Sequence, residues 1–138
     1  ISRWTSHGIS CPAGVHVADI HTFEVRHNVN LPSDMRPYFL AVNGMGERGT
    51  CDDDFFSFWP LQDLITIAED LPDRSSRFPD APRYFMFADH SISLPRFAIR
   101  LSANVTEPNS VALRIRRFRC LRSRELLRFI YRFREPLS

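Results

Sequence analysis

"YFMFADHSISLPRFAIRLS", residues 84–102, holds two extended runs separated by a short polar stretch. Tyr84 to Asp89 reads as a strand, aromatic and aliphatic along its length. In the second run Phe97, Ile99 and Leu101 alternate with Arg96, Ala98 and Arg100. A period of two puts the two sets on opposite faces of a strand. The second strand is therefore expected to be half-buried, with one face left to solvent or a partner. The turn Ser91 to Arg96 joins the two into a hairpin.

Asp89, His90 and Ser91 are the residue types of a hydrolase triad. Their adjacency argues against one, because neighbours on an extended chain point to alternate sides, whereas triad groups converge from separate places. Ser91 also lacks the Gly-x-Ser-x-Gly elbow that exposes a nucleophile. Asp89 is expected to end the strand and bond to backbone N–H groups of the turn.

Outward from the hairpin, the remaining segments supply helices and strands to pack with it. Val17, Ile20 and Phe23 recur at steps of three and predict a helix over about 15–27. His16 and His27 fall near its apolar face, but no adjacent Cys or carboxylate completes a ligand set. In "LPSDMRPYFLAVNGMG" (31–46) Leu31-Pro32 is extended, and Ser33 or Asp34 caps a helix. Met35, Tyr38, Phe39 and Val42 then point inward, and Asn43-Gly44 ends the helix with Gly44 left-handed. Phe55 to Trp59 reads as an aromatic strand. From Leu61 to Leu71 a helix is expected. Leu61, Leu64, Ile65, Ile67, Ala68 and Leu71 fill one arc, and Gln62, Asp63, Thr66, Glu69 and Asp70 the other. Residues 72–83 read as a loop and 111–116 as a third strand. A last helix over 123–134 carries an apolar arc opposite a stripe of Arg124, Arg128 and Arg132.

The chain of 138 residues, 43% hydrophobic and 25% charged, is expected to form one domain over 1–138. No apolar run approaches bilayer-spanning length, and the first residues show no charged-then-apolar leader pattern. Cys11, Cys51 and Cys120 are odd in number and lack a CxxC spacing, which argues against a disulfide framework or a structural zinc site. The net charge of +2 is uneven, and every basic residue is Arg. Residues 1–113 hold 9 Arg against 14 acids (net −5), and 114–138 hold 9 Arg against 2 acids (net +7).

Three motifs in order resemble the SUKH superfamily, which includes fungal cell-wall-synthesis regulators and bacterial toxin-immunity proteins. Leu31, Pro32, Asp34, Asn43 and Gly44 match its Leu-Pro-x-Asp helix start and Asn-Gly end. Trp59, Pro60 and Leu61 match its Trp-Pro-Leu turn. Phe87, Ala88 and Asp89, with Ala98 and Ile99, match its Phe-Ala-Asp strand end and following Ala-Ile strand. The similarity runs over about 15–102, and the Arg-rich strand and helix at 111–134 diverge from the family pattern. The resemblance implies an α+β fold, a mainly antiparallel sheet with helices packed against it. It also implies a cytoplasmic, non-enzymatic immunity protein, without cofactor or metal, that binds and occludes a cognate nuclease- or deaminase-type toxin. A regulatory scaffold is the alternative within the family.

A nuclease must carry positive charge to hold phosphates. Asp52, Asp53, Asp54, Asp63, Glu69 and Asp70 are therefore the candidate partner-binding residues, as a single acidic surface. A solvated loop is the plainer reading of the Asp52–Asp54 run, and one loop rarely encloses a hard cation. Nucleic acid is the disfavoured partner. Its support is the Arg stripe alone, without interleaved exposed aromatics. No membrane contact and no small-molecule substrate are expected.

Overall fold

The computed structural model describes residues 2–46, 50–75, 78–90, 96–103, 110–113 and 119–122. Along the chain these form α1 (Ser2–Ser6), α2 (Val17–His27), α3 (Met35–Ala41), β1 (Phe56–Phe58), β2 (Ile65–Thr66), α4 (Ile67–Asp70), α5 (Pro72–Ser75), β3 (Tyr84–His90), β4 (Arg96–Arg100), β5 (Ser110–Leu113) and β6 (Arg119–Arg122). Single 3₁₀ turns lie at Leu61–Asp63 and Ala81–Arg83. The sheet runs in the order β1-β3-β4-β5-β6, with β2 sharing the outer edge of β3 with β1. Every paired strand is antiparallel. Helices on an antiparallel sheet make the fold α+β.

The β3–β4 hairpin is the centre of this sheet. Phe85 pairs with Ile99, Met86 with Ala98, and Ala88 with Phe97, so β3 carries one extra residue at Phe87. Such a bulge resets the alternation of side chains beyond it. Paired residues share a face. One face therefore carries Phe85, Ile99, Ala88, Phe97 and, through β1, Phe56 and Phe58. The other carries Met86, Ala98, Asp89, Arg96 and Ser57.

The first face is roofed by helices. Phe23 of α2 meets Phe85 edge-on at 5.7 Å between ring centroids. Trp4 of α1 lies 5.2 Å from Phe58, and Tyr38 of α3 6.5 Å from it. Ile20, Met35, Phe39, Phe85 and Ile99 are fully enclosed there. Each contributes about 1.5–3 kcal/mol through loss of apolar surface to water. The second face is also covered. Phe78 meets Tyr84 at a tilt, 5.2 Å between ring centroids, and Arg96 pairs with Asp70 of α4. This corrects the expectation of a one-sided β4: Ala98, assigned to the open face, is buried.

A buried carboxylate ties α2 to α3. Glu24 accepts the Leu31 backbone N–H at 2.7 Å and the Arg36 guanidinium at 2.5 and 2.6 Å. Leu31-Pro32 is thereby fixed where α3 begins. Asp34 stands at the N-cap position, but its side chain makes no cap bond. The Pro32 carbonyl serves instead, accepting from the N–H groups of Met35 and Arg36.

The helix expected over 61–71 is not formed. Leu61–Asp63 closes one tight turn, with Asp63 N–H bonded to the Pro60 carbonyl. Ile65 and Thr66 are then extended and pair with Met86 and Phe85. Thr66 caps a separate short helix: its hydroxyl accepts from the Glu69 N–H, and the Glu69 carboxylate accepts from the Thr66 N–H. The apolar arc correctly marked Leu61, Leu64 and Ile67 as buried, but Thr66, placed on the outer arc, is buried too. β-branched Ile65 and Thr66 gained a strand partner, and the ladder outweighed the helical period.

Other boundaries also shift. The loop expected over 72–83 contains α5 and the second 3₁₀ turn. The third strand is described over Ser110–Leu113, and residues 114–116 of the expected 111–116 lie outside the described residues; no local pattern announces α1 or β6. The helix expected at 123–134, with Arg124, Arg128 and Arg132, lies outside the described residues. Among the described residues no helix is long and apolar enough to cross a membrane.

Candidate functional site

The acidic run forms a tight turn ahead of β1. Phe55 N–H bonds to the Asp52 carbonyl, and Asp52 N–H to the Phe56 carbonyl, each at 2.9 Å. This is a three-residue loop closed by a left-handed residue, the position where glycine is usual. Here that residue is Phe55, with φ of +63°. A bulky side chain at positive φ is a strained outlier. The ring is nevertheless 60% exposed. Its nearest described aromatic contact is His90, at 6.5 Å between centroids.

The three aspartates of the run play different parts. Asp52 is buried, and its Oδ1 accepts from the Asp54 and Phe56 N–H groups at 3.0 and 2.9 Å. It builds the turn and, at 8% exposure, is the least suited of the three to meet a partner. Asp53 and Asp54 are exposed, with Asp53 beside His7 of the segment after α1.

The single acidic surface is not formed. Phe56 pairs with His90, and Thr66 with Phe85, five residues apart on β3. The Asp53–Asp54 turn and the start of α4 therefore sit roughly 16 Å apart along the sheet. Glu69 is occupied in the Thr66 cap, and Asp70 in the Arg96 pair. Asp63, in the 3₁₀ turn, is half-buried.

The family-motif residues are brought together instead. Asn43 Oδ1 accepts the Leu61 N–H at 2.8 Å, and its amide donates to Gln62 at 2.9 Å. Gly44, with φ of +71°, lies directly against the backbone of Phe58 to Pro60. Asn43-Gly44 thus clasps the Trp59-Pro60-Leu61 turn. It does not end α3, which stops at Ala41 as Val42 becomes extended and bridges to Ala13. Trp59 in turn donates its indole N–H to the buried Asp89 carboxylate at 2.8 Å. Asp89 therefore serves a buried side chain rather than only the turn backbone. Asp89 and His90 face opposite sides of β3, and Ser91 lies outside the described residues.

A groove of about 410 Å³ runs beside α2. The helix contributes Asp19, Phe23, Arg26 and His27; Leu61 and Gln62 of the 3₁₀ turn also line it. His27 is also wedged against Phe23 and Phe85, at 4.6 and 5.2 Å. Partial burial lowers its pKa below the ordinary 6.5, against a smaller opposing pull from Glu69. Glu69 is itself lowered, chiefly by the Thr66 N–H bonded to its carboxylate.

A pH dependence follows. A histidine lowered on folding binds fewer protons than the unfolded chain just below pH 6.5, so its stabilising share is complete above that value. It erodes as pH falls towards the folded pKa. Urea midpoints should decline between pH 7.5 and 5, where Glu69 stays ionised, and His27→Leu should flatten that decline. An unchanged slope in the variant would assign the acid sensitivity elsewhere.

Cys11 and Cys51 are free thiols. Among the described residues no cluster of three or more His, Cys, Asp or Glu could hold a metal ion. No protein-family model, curated protein or solved structure matches the chain.

Proposed function

We propose that this protein is a SUKH-type immunity protein that works by binding, not catalysis, and neutralises a basic, nuclease- or deaminase-type toxin. The contact surface is the turn Asp53-Asp54-Phe55. The observation that carries the reading is Phe55, exposed and strained where glycine would relax the loop. An aromatic ring flanked by carboxylates suits a Lys- or Arg-rich surface. The ring offers apolar area and its π-face to a cation, and the carboxylates steer the encounter. Exposed aromatics of this kind are the common anchors of protein interfaces.

The test separates folding from binding. Phe55→Gly removes the strained side chain, so stability should stay within about 1 kcal/mol of the parent or rise. Binding to the toxin encoded beside this gene should weaken by about 30-fold, as for loss of an aromatic anchor. Asp53→Lys with Asp54→Lys should slow association and remove its salt dependence. Full toxin protection by both variants would rule out the turn as the contact surface. Absence of any toxin gene in the neighbourhood would rule out the immunity reading and favour a regulatory scaffold.

A further inference from the structure

The groove beside α2 carries opposite charges at its two ends. Asp19 and Arg26 are seven residues apart on one helix, which places them roughly 10 Å apart along its axis and about 20° apart around it. They therefore stand in one line, with Phe23 between them. Leu61 adds apolar lining, and Gln62 adds an amide. Asp19 commits Oδ2 to the His16 backbone N–H, which leaves Oδ1 available. Gln62 gives its carbonyl oxygen to Asn43, so its N–H groups are left to donate. Both Asp19 and Arg26 are exposed.

We propose that this groove holds a short extended segment of a protein partner. The segment has a basic side chain at the Asp19 end, an acidic one at the Arg26 end, and an apolar residue between. An extended chain rises about 3.3 Å per residue and alternates sides, so the basic, apolar and acidic residues that share one face stand at positions i, i+2 and i+4. The charges are then roughly 13 Å apart, and flexible side chains bring them onto Asp19 and Arg26. The Gln62 amide is placed to donate to a backbone carbonyl of such a segment. A segment with two like charges meets one repulsive end, so the groove selects by rejection as well as attraction. Glu69 is close enough to Arg26 to interact with it, but it lies outside the lining and its Oε2 is held by Thr66. It weakens the Arg26 end without replacing it. The inference is independent of the toxin reading and of the acidic turn.

The experiment titrates the ¹⁵N-labelled full chain with three capped pentapeptides of sequence Lys-Ala-Leu-Ala-Glu, Lys-Ala-Leu-Ala-Lys and Glu-Ala-Leu-Ala-Glu, in which the first, third and fifth side chains share one face of an extended chain. The mixed peptide should shift the amides of Phe23, Arg26 and Gln62, and bind about five-fold tighter than either like-charged peptide. Arg26→Glu should transfer the preference to the basic peptide, and Asp19→Lys to the acidic one. Asp19 also bonds the start of α2, so if Asp19→Lys unfolds that turn the Arg26→Glu result decides alone. The proposal is overturned by no shift at millimolar peptide, by shifts confined to other surfaces, or by a parent preference for either like-charged peptide. A preference that Arg26→Glu leaves unchanged would overturn it as well.

Discussion

Gly44→Ala should destabilise the protein by about 3 kcal/mol or more, a fall in melting temperature of about 10 °C. Two effects add. An L-residue at φ of +71° carries a backbone penalty of about 1–2 kcal/mol. The new Cβ would also stand 2.6 Å from the Pro60 nitrogen, 2.7 Å from the Trp59 carbonyl carbon and 2.8 Å from the Phe58 oxygen. All three are backbone atoms and cannot rotate away. Relief requires the segment after α3 to part from the Trp59-Pro60 turn, which would stretch the Asn43–Leu61 bond. Gly8→Ala is the matched control. It has φ of +77° but nothing within 4 Å of the added Cβ, so it should cost only about 1 kcal/mol. Comparable losses in both variants would mean that strain, not the close approach, governs Gly44.

Asp89→Ala should cost about 2–4 kcal/mol in denaturant titrations. The substitution leaves the Trp59 indole N–H buried beside a hole, without the carboxylate that accepts it at 2.8 Å. Asp89→Asn keeps an acceptor oxygen in place and should cost about 1 kcal/mol. In a double-mutant cycle with Trp59→Phe, the loss in the double variant should fall short of the sum of the two single losses by about 1 kcal/mol or more. Strict additivity would show that the bond contributes nothing beyond packing. The cycle also tests the meaning of the Phe-Ala-Asp motif: Asp89 is conformational, and its loss should act on folding before it acts on any partner.

Much of the frame was legible from periodicity and turn chemistry. β3 and β4 were visible because aromatic and alternating residues stand on either side of a Pro-containing turn. α2 and α3 were visible because Ile20, Phe23, Met35 and Phe39 repeat at helical spacing. The segment 61–71 was misread because apolar residues of a broken chain, 3₁₀ turn, strand and short helix, happen to fall on one arc. The signal that distinguishes the cases was present: Thr66-x-x-Glu69 is a capping box, and it marks a helix start in the middle of the supposed helix. α1 is only five residues long and is held by Trp4 against Phe58, a contact that no local pattern announces.

The candidate site was legible as composition but not as geometry. Three consecutive aspartates promise negative charge, yet the sequence does not say that Asp52 turns inward to hold its own loop. It also does not say that Glu69 and Asp70 stand on α4, elsewhere along the sheet, already engaged with Thr66 and Arg96. The sequence does not separate Phe55 from the aromatic run Phe55 to Trp59, because its left-handed backbone follows from how the turn closes. The groove was not legible at all, since Leu61 and Gln62 reach α2 only after the chain has folded back.

By itself, then, the sequence determined the α+β class, the central hairpin and most of the core, because burial follows local period and neighbouring residues share one element. Tertiary structure alone decided which carboxylates remain exposed, that Asn43-Gly44 clasps Trp59-Pro60-Leu61, and that Asp89 meets an indole thirty positions away. Those outcomes depend on strand register and on one bulge at Phe87. Register is set by the fit of whole faces against each other, a property of pairs of distant segments rather than of any segment alone.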